Sequence, residues 1–385
     1  MMPCRCVVVV SACFVVIGAS AAQQLALPQP ASAEIDLFVE TERTRMQIPG
    51  ASVAIAFRNQ LLYSKGFGLA DLEHRVPVSE QTTFRTASIA KPVTATAVMQ
   101  LVERGKLDLE APIQKACPAF PQKPWPVSAA HLLGHLAGVR HYKPGESAGK
   151  DHYYTLQDAL ALFKNDPLVH QPGTSYLYST FGYSVLGCAI EGASGMAYEA
   201  YLQQQVFTPA RMARTRLDRH WDIVPDRARG YILPTPDMIN ELPPAARTFA
   251  RAGQIYNAPF HDTSMKIPGG GLLSTAEDLV RFGIAVQTHA LLQKDTVDRM
   301  WTEGRTASGV GTGYGLGWGV TPPQDGLRRI SHNGNQIGAS SSLIVIPEIG
   351  LTYAVMTNLE DVDMPRLTRG IAQILRKHLM KAPRT

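Results

Sequence analysis

Apolar residues alternate with other residue types from Ala51 to Phe57, where Val53, Ile55 and Phe57 share one side. The stretch Leu61 to Gly66 answers it across Arg58-Asn59-Gln60. A period of two, broken by a short polar turn, predicts a β-hairpin. The same reading gives strands at Arg328 to Ser331, Ser340 to Ile346 and Leu351 to Thr357, the last two joined by Pro347-Glu-Ile-Gly350. Ala33 to Met46 and Pro365 to Leu379 read as helices. Residues from about 89 to 260 are mostly helical segments and loops, with Pro-rich breaks at Pro118 to Pro126 and Pro234 to Pro244. Strands at both ends and helices between them predict an α+β fold. One antiparallel sheet, built from both chain ends and flanked by helices, would carry an inserted mainly helical domain. The boundaries expected are 34–100 plus 265–380 for the sheet domain and 101–264 for the insertion, with the functional cleft between them.

The N-terminus departs from this pattern. Met1 to Arg5 is short and basic, Val7 to Ile17 is apolar, and Ala19-Ser20-Ala21 is a run of small residues. This predicts a signal peptide over residues 1–21 and an exported, periplasmic or extracellular protein. Val10-Ser11-Ala12-Cys13 resembles a lipobox, so a lipoprotein anchored at Cys13 is the minor alternative. No later segment has enough uninterrupted apolar residues to span a bilayer.

Composition changes little. Of 385 residues, 45% are hydrophobic and 18% charged, which suits a protein with a substantial core. The formal charge of +5 is spread out except for Arg366, Arg369, Arg376 and Lys377 in the terminal helix. Cations near a helix C-terminus and a solvated helix face account for them, so no nucleic-acid partner is expected. Cys4, Cys6 and Cys13 fall in the leader, leaving Cys117 and Cys188. Cys188 sits in an apolar helical run, and two buried thiols are expected rather than a disulfide. Gly309 to Gly319 contains neither G-x-G-x-x-G nor a P-loop lysine, so no nucleotide cofactor is expected.

Two S-x-x-K tetrads carry candidate chemistry: Ser88-Ile-Ala-Lys91 and Ser147-Ala-Gly-Lys150. Ser88 follows an extended segment, Thr82 to Thr86, and opens a run (Val93, Ala97, Val98, Leu101, Val102) with helical spacing that ends at Gly105. Pro92 is tolerated only in the first turn, which fixes where that helix begins. The Lys91 amine then lies one turn from the Ser88 hydroxyl, placed to take its proton, and free N–H groups at the helix start can stabilise an oxyanion. Ser147 lies in a loop composition without periodicity. Further on, Tyr178-Ser179-Thr180 precedes an apolar helix for which Thr180 is the expected N-cap, and Tyr178 offers a phenol for proton relay. Ser274 and Glu277 form a capping-box pattern. His332-Asn333-Gly334-Asn335 follows the Arg328 to Ser331 strand. His131 and His135 have a zinc-compatible spacing but no H-E-x-x-H glutamate, so no metal is expected. There is no G-x-S-x-G elbow.

Taken in order, S-x-x-K, Tyr178-x-Thr180 and His332-x-Gly334 resemble the penicillin-recognising serine hydrolases: class C β-lactamases, DD-carboxypeptidases and their esterase and peptidase relatives. The resemblance extends through Ile48-Pro-Gly-Ala-Ser-Val-Ala, Phe84-Arg-Thr-Ala-Ser-Ile-Ala-Lys-Pro, His131-Leu-Leu-Gly-His-Leu-Ala-Gly138, Gln171-Pro-Gly173 and Gly270-Gly-Leu-Leu-Ser274. Tyr-Ser-Thr-Phe-Gly-Tyr183 looks most like the mitochondrial serine β-lactamase-like branch and its bacterial relatives. The resemblance implies a β-lactamase/transpeptidase-like fold. It implies Ser88 as nucleophile, Lys91 and Tyr178 as base and acid, and catalysis assisted at His332. It also implies a substrate and oxyanion pocket from Thr180, Asn333, Gly334 and Asn335, including the N–H groups of Ser88 and Asn335, with no cofactor.

Thr180 stands where the family has an Asn amide, and His332 where it has a Lys cation. These departures favour hydrolysis of an amide or ester in a small molecule or peptide over β-lactamase or cell-wall DD-peptidase action. A penicillin-recognising binding protein without turnover is the remaining alternative. An unperturbed imidazole titrates near pH 6.5, so carboxylate anchoring at His332 would strengthen from about pH 8 to about pH 6.

Overall fold

The structure, a computed structural model, describes residues 26–379 except 243 and 325. The signal peptide expected over residues 1–21, with Cys4, Cys6 and Cys13, lies outside the described residues. No described helix is long and apolar enough to cross a membrane.

The chain opens with helix α1 (Gln29–Arg45) and the expected hairpin, β1 (Gly50–Phe57) and β2 (Gln60–Asp71). Arg58 and Asn59 make its turn, both with positive φ (52° and 61°), the conformation whose twist matches paired strands. After β3 (Val76–Pro77) come helices α2 (Ala90–Glu103), α3 (Thr180–Ser194) and α4 (Ala276–Gln287) among shorter elements. The chain then returns to the sheet as β4 (Gly319–Gln324), β5 (Leu327–Gln336), β6 (Ala339–Ile346) and β7 (Leu351–Thr357), and ends in α5 (Met364–Leu379). The seven strands order as β3-β2-β1-β7-β6-β5-β4, all antiparallel. N-terminal β1 therefore pairs with C-terminal β7, with Val53 opposite Val355 and Ile55 opposite Tyr353.

Both faces of this sheet are covered, which is why β1 is buried along nearly its whole length and carries Ala where polar residues would face water. Val53 and Ile55 pack with Ile35, Val39, Leu367 and Ile371 of α1 and α5. Ala54 and Ala56 belong to the larger core with α2, α3 and α4. Part of the basic face of α5 is docked rather than solvated: Arg366 Nε and Nη2 donate to Glu42 of α1 at 2.6 and 2.9 Å.

Three local expectations are corrected. Strand β5 does not stop at Ser331 but runs to Gln336, so His332-Asn333-Gly334-Asn335 lies within the sheet. The N-cap of α4 is Thr275, whose hydroxyl accepts from Asp278 N at 3.0 Å, and not Ser274, which ends the short strand Leu272–Ser274. Cys117 and Cys188 are not free thiols but a disulfide. The fold brings a loop residue against α3 across a separation of 71 residues, which residue-type statistics do not register. Closing a loop of that length stabilises the folded chain by about 4 kcal/mol in the chain-entropy account. The Cys117→Ala/Cys188→Ala variant is expected to lose roughly 2–5 kcal/mol in denaturant unfolding. A loss within experimental error would show that the crosslink adds nothing.

Candidate active site

The Ser88 turn is held from three sides. Phe84–Arg85 pairs with Leu273 and Ser274, then Ala87–Ile89 forms one 3-10 turn that runs directly into α2. Thr86 N donates to Leu272 O at 2.9 Å, and Ser341 Oγ of β6 donates to Thr86 O at 2.6 Å. Strand β5 crosses beneath: a Cβ on Gly334 would lie 2.4 Å from Thr86 O, so only glycine permits this approach. Ala87, immediately before Ser88, sits in the left-handed region at φ 47°.

Lys91 is wholly buried. Its Nζ lies 3.0 Å from Ser88 Oγ, 3.1 Å from Thr180 Oγ1 and 2.7 Å from Gly269 O, and stands 4.7 Å from the centre of the Tyr178 ring; a neutral amine there donates to Thr180 and Gly269 and accepts from the Ser88 hydroxyl. Burial, reinforced by the nearby Lys266 cation, holds the amine well below the ordinary lysine range. Among the described residues no carboxylate pairs with it, so the site favours a neutral amine beside the serine.

Ser179, not Thr180, caps α3, accepting from Gly182 N at 3.0 Å. Thr180 is thereby freed to turn its hydroxyl to Lys91. Two histidines brace this segment: His135 Nδ1 accepts from Ser179 N at 3.1 Å and His141 Nδ1 accepts from Thr180 N at 3.2 Å. The His135 ring packs on Tyr178 with centroids 4.3 Å apart. Burial raises the Tyr178 phenol above its ordinary value, and the adjacent Ser88 hydroxyl draws it partly back. His131 makes a reciprocal cap with Ser128 on a short helix.

His332 departs most from the expectation. Its ring is buried, Nδ1 donates to Asn333 O at 2.7 Å, and Nε2 accepts from Tyr314 Oη at 2.9 Å. Burial first, then the Lys91 charge, push it down to about 3. The imidazole is therefore neutral across the working pH range, and the gain in carboxylate anchoring expected from this ring between pH 8 and pH 6 has no source in it. Asn333, Gly334 and Asn335 do line the cavity, together with Ser88, Tyr178 and Thr180. Asn333 Oδ1 accepts from Ser342 Oγ at 2.6 Å, and Asn335 Oδ1 from Asp361 N at 3.0 Å. Pairing of β5 with β4 ends at Ser331, which leaves the edge of residues 332–336 open on that side.

The cavity measures about 470 Å³. Ser147 reaches its rim from an exposed 3-10 turn, and Lys150 is exposed, so the second tetrad has no buried base. Several lining residues were not singled out from the sequence, Lys266 and Gln336 among them. Lys266 is 4% exposed, and its ammonium forms no hydrogen bond or ion pair among the described residues; burial, with Arg85 nearby, pushes it down to about 8. Gln336 is 7% exposed with its amide unpartnered. An odd lysine in Ser-Met-Lys-Ile-Pro, just ahead of the Gly269-Gly-Gly run, was the available signal for the first.

The family model for Beta-lactamase matches residues 38–376. The human mitochondrial serine beta-lactamase-like protein LACTB is 29% identical, with 84% of this chain and 76% of that protein covered. Penicillin-binding protein 4* of Bacillus subtilis (strain 168) is 28% identical, covering 84% and 70%. The octameric penicillin-binding protein homologue from Pyrococcus abyssi superposes with a TM-score of 0.74 at 26% identity, over 91% of this chain and 78% of that one. With the serine–lysine pair seated between a helical region and a sheet built from both chain ends, this chain belongs to the Beta-lactamase family and has its serine-hydrolase fold.

Proposed function

We propose that this chain hydrolyses an amide or ester bond through an acyl-serine at Ser88. One observation carries the reading: the Ser88 hydroxyl is 3.0 Å from a lysine that is wholly buried and has no carboxylate partner among the described residues. Ser88 Oγ attacks the carbonyl carbon and its proton passes to the Lys91–Tyr178 pair. The N–H groups of Ser88 and Asn335 hold the oxyanion. Collapse breaks the bond to the leaving group, which receives the proton through Tyr178. Water then attacks the acyl ester, the same pair takes a proton from it, and Ser88 is regenerated. His332 acts by position, with its neutral ring fixing β5 beneath the cavity through Tyr314. The open edge of residues 332–336 suits an extended small substrate or peptide laid alongside β5. Export is supported by the Cys117–Cys188 disulfide, a bond that persists in oxidising compartments.

A β-lactamase or DD-peptidase activity is the second reading, favoured by Lys266, which returns to the cavity the cation that His332 does not supply. Intact-mass analysis after exposure to a β-lactam, a p-nitrophenyl ester and a peptide panel separates these readings. Acylation with product release on esters or peptides supports the first. Faster turnover of the β-lactam promotes the second, and a retained acyl adduct without product supports a binding protein.

Lys266 gives a pH prediction whose sign follows from its depressed value. The ammonium is charged below about pH 8 and neutral above it. The ratio of kcat/KM for a carboxylated substrate to that for a matched neutral ester is therefore expected to fall by about 10-fold or more between pH 7 and pH 9.5. Titration of Lys91 affects both substrates and cancels in the ratio. Lys266→Met is expected to start low and stay flat; a wild-type ratio independent of pH would remove Lys266 from substrate recognition.

A further inference from the structure

Away from the cavity, three side chains from three separate loops converge. Asp262 is almost wholly buried, its side chain 3% exposed, and its Oδ1 is taken by Ser264 N at 2.7 Å. The other oxygen, Oδ2, meets His152 Nδ1 at 2.9 Å and His220 Nδ1 at 3.0 Å. All three ligand atoms lie within 4.8 Å of one another. Aromatic side chains flank both rings. Trp221 stands edge-on to both, at 4.3 Å from His152 and 4.7 Å from His220, Tyr154 abuts the first ring at 4.6 Å and Phe260 the second at 5.3 Å. A cavity of about 350 Å³, lined by His152, Asp262 and Trp221 among others, opens beside the group.

The geometry points to a divalent-metal site of two imidazoles and one carboxylate, suited to Zn²⁺. Zinc takes nitrogen and carboxylate oxygen at about 2.0–2.2 Å in tetrahedral array, which sets ligand atoms about 3.3 Å apart. The present separations of 2.9 and 3.0 Å to Asp262 must open by a few tenths of an ångström, and the two imidazole nitrogens, which lie within 4.8 Å of each other, must settle at the same spacing. Binding through Nδ1 requires only the tautomer with the proton on Nε2, so neutral imidazoles lose no net proton. The adjoining cavity leaves the fourth position to water. Sequence spacing does not reveal this set, because each ligand comes from a different loop and none stands at i, i+4 to another.

The site also has a place in the architecture. His152 lies five residues after Ser147 at the catalytic rim, and Asp262 four residues before Lys266, while Asp262 N donates to Gly149 O at 2.9 Å. A bound ion would clamp the rim loop to the segment that delivers Lys266.

The test uses tag-free, chelator-stripped full-length protein titrated with ZnCl₂ against a competing dye. One Zn²⁺ per chain at about micromolar affinity is expected, with His152→Ala and His220→Ala each weaker by about 100-fold or more. His289→Ala, remote from the group, should bind as wild type. X-ray absorption of the wild-type zinc complex provides a readout independent of variant folding and should show two imidazoles with oxygen ligands. No binding below about 100 μM, binding retained in both variants, or a spectrum without imidazole scattering would overturn the site.

Discussion

Ser88→Ala is expected to abolish covalent acylation and to lower kcat by about 10⁴- to 10⁶-fold, the scale seen when a nucleophile is removed from a site whose parts act together. The variant deletes only the Oγ atom that Lys91 contacts. The side chain is partly buried at the cavity wall, and removing one oxygen leaves a space open to that cavity, so the fold should be unaffected. Ser147→Ala is the matched control: its hydroxyl shares the cavity rim but stands on an exposed turn, so labelling should persist at the wild-type rate. A label that survives in Ser88→Ala, located by peptide mapping, would end the acyl-serine reading at this residue.

Tyr178→Phe should lower kcat by about 10²- to 10⁴-fold with little change in Tm. The ring carries the structural role, since it packs on His135 and lies 4.7 Å from Lys91 Nζ. Phenylalanine retains both contacts and removes only the oxygen that neighbours Ser88. Loss of turnover at constant stability therefore isolates proton transfer from packing. If the phenylalanine variant turns over near the wild-type rate, Lys91 alone must move the proton and Tyr178 is a wall of the cavity.

What the sequence made legible was local or periodic. The hairpin through Arg58-Asn59, the pairing-competent strands near both termini and the serine–lysine turn each sit within a few residues of their own signals. Burial altered what those signals meant. His332 was readable as a position but not as a neutral ring, because its partner Tyr314 and the shielding core come from other parts of the chain. Both helix caps were misplaced by one residue for the same reason: in Tyr178-Ser179-Thr180 and Leu273-Ser274-Thr275 two adjacent hydroxyl residues compete, and tertiary contacts decide which one turns inward. In the first pair the loser, Thr180, is drawn to Lys91; in the second, Ser274 is held at 2.7 Å by Thr215. Lys266, His141 and the Cys117–Cys188 bond depend on chain crossings that no local window contains.

Ala87 carries an implication for how this protein tolerates change. A left-handed conformation costs an alanine roughly 1–2 kcal/mol that a glycine would not incur. The buried methyl and the smaller entropy an alanine loses on folding offset part of that cost. Its methyl group narrows the backbone choices of the turn, so the direction of Ser88 is set by the main chain and not left to thermal sampling. Ala87→Gly would relieve the strained φ and at the same time free the main chain that aims Ser88, so a change of one methyl group is expected to exchange local precision for local freedom.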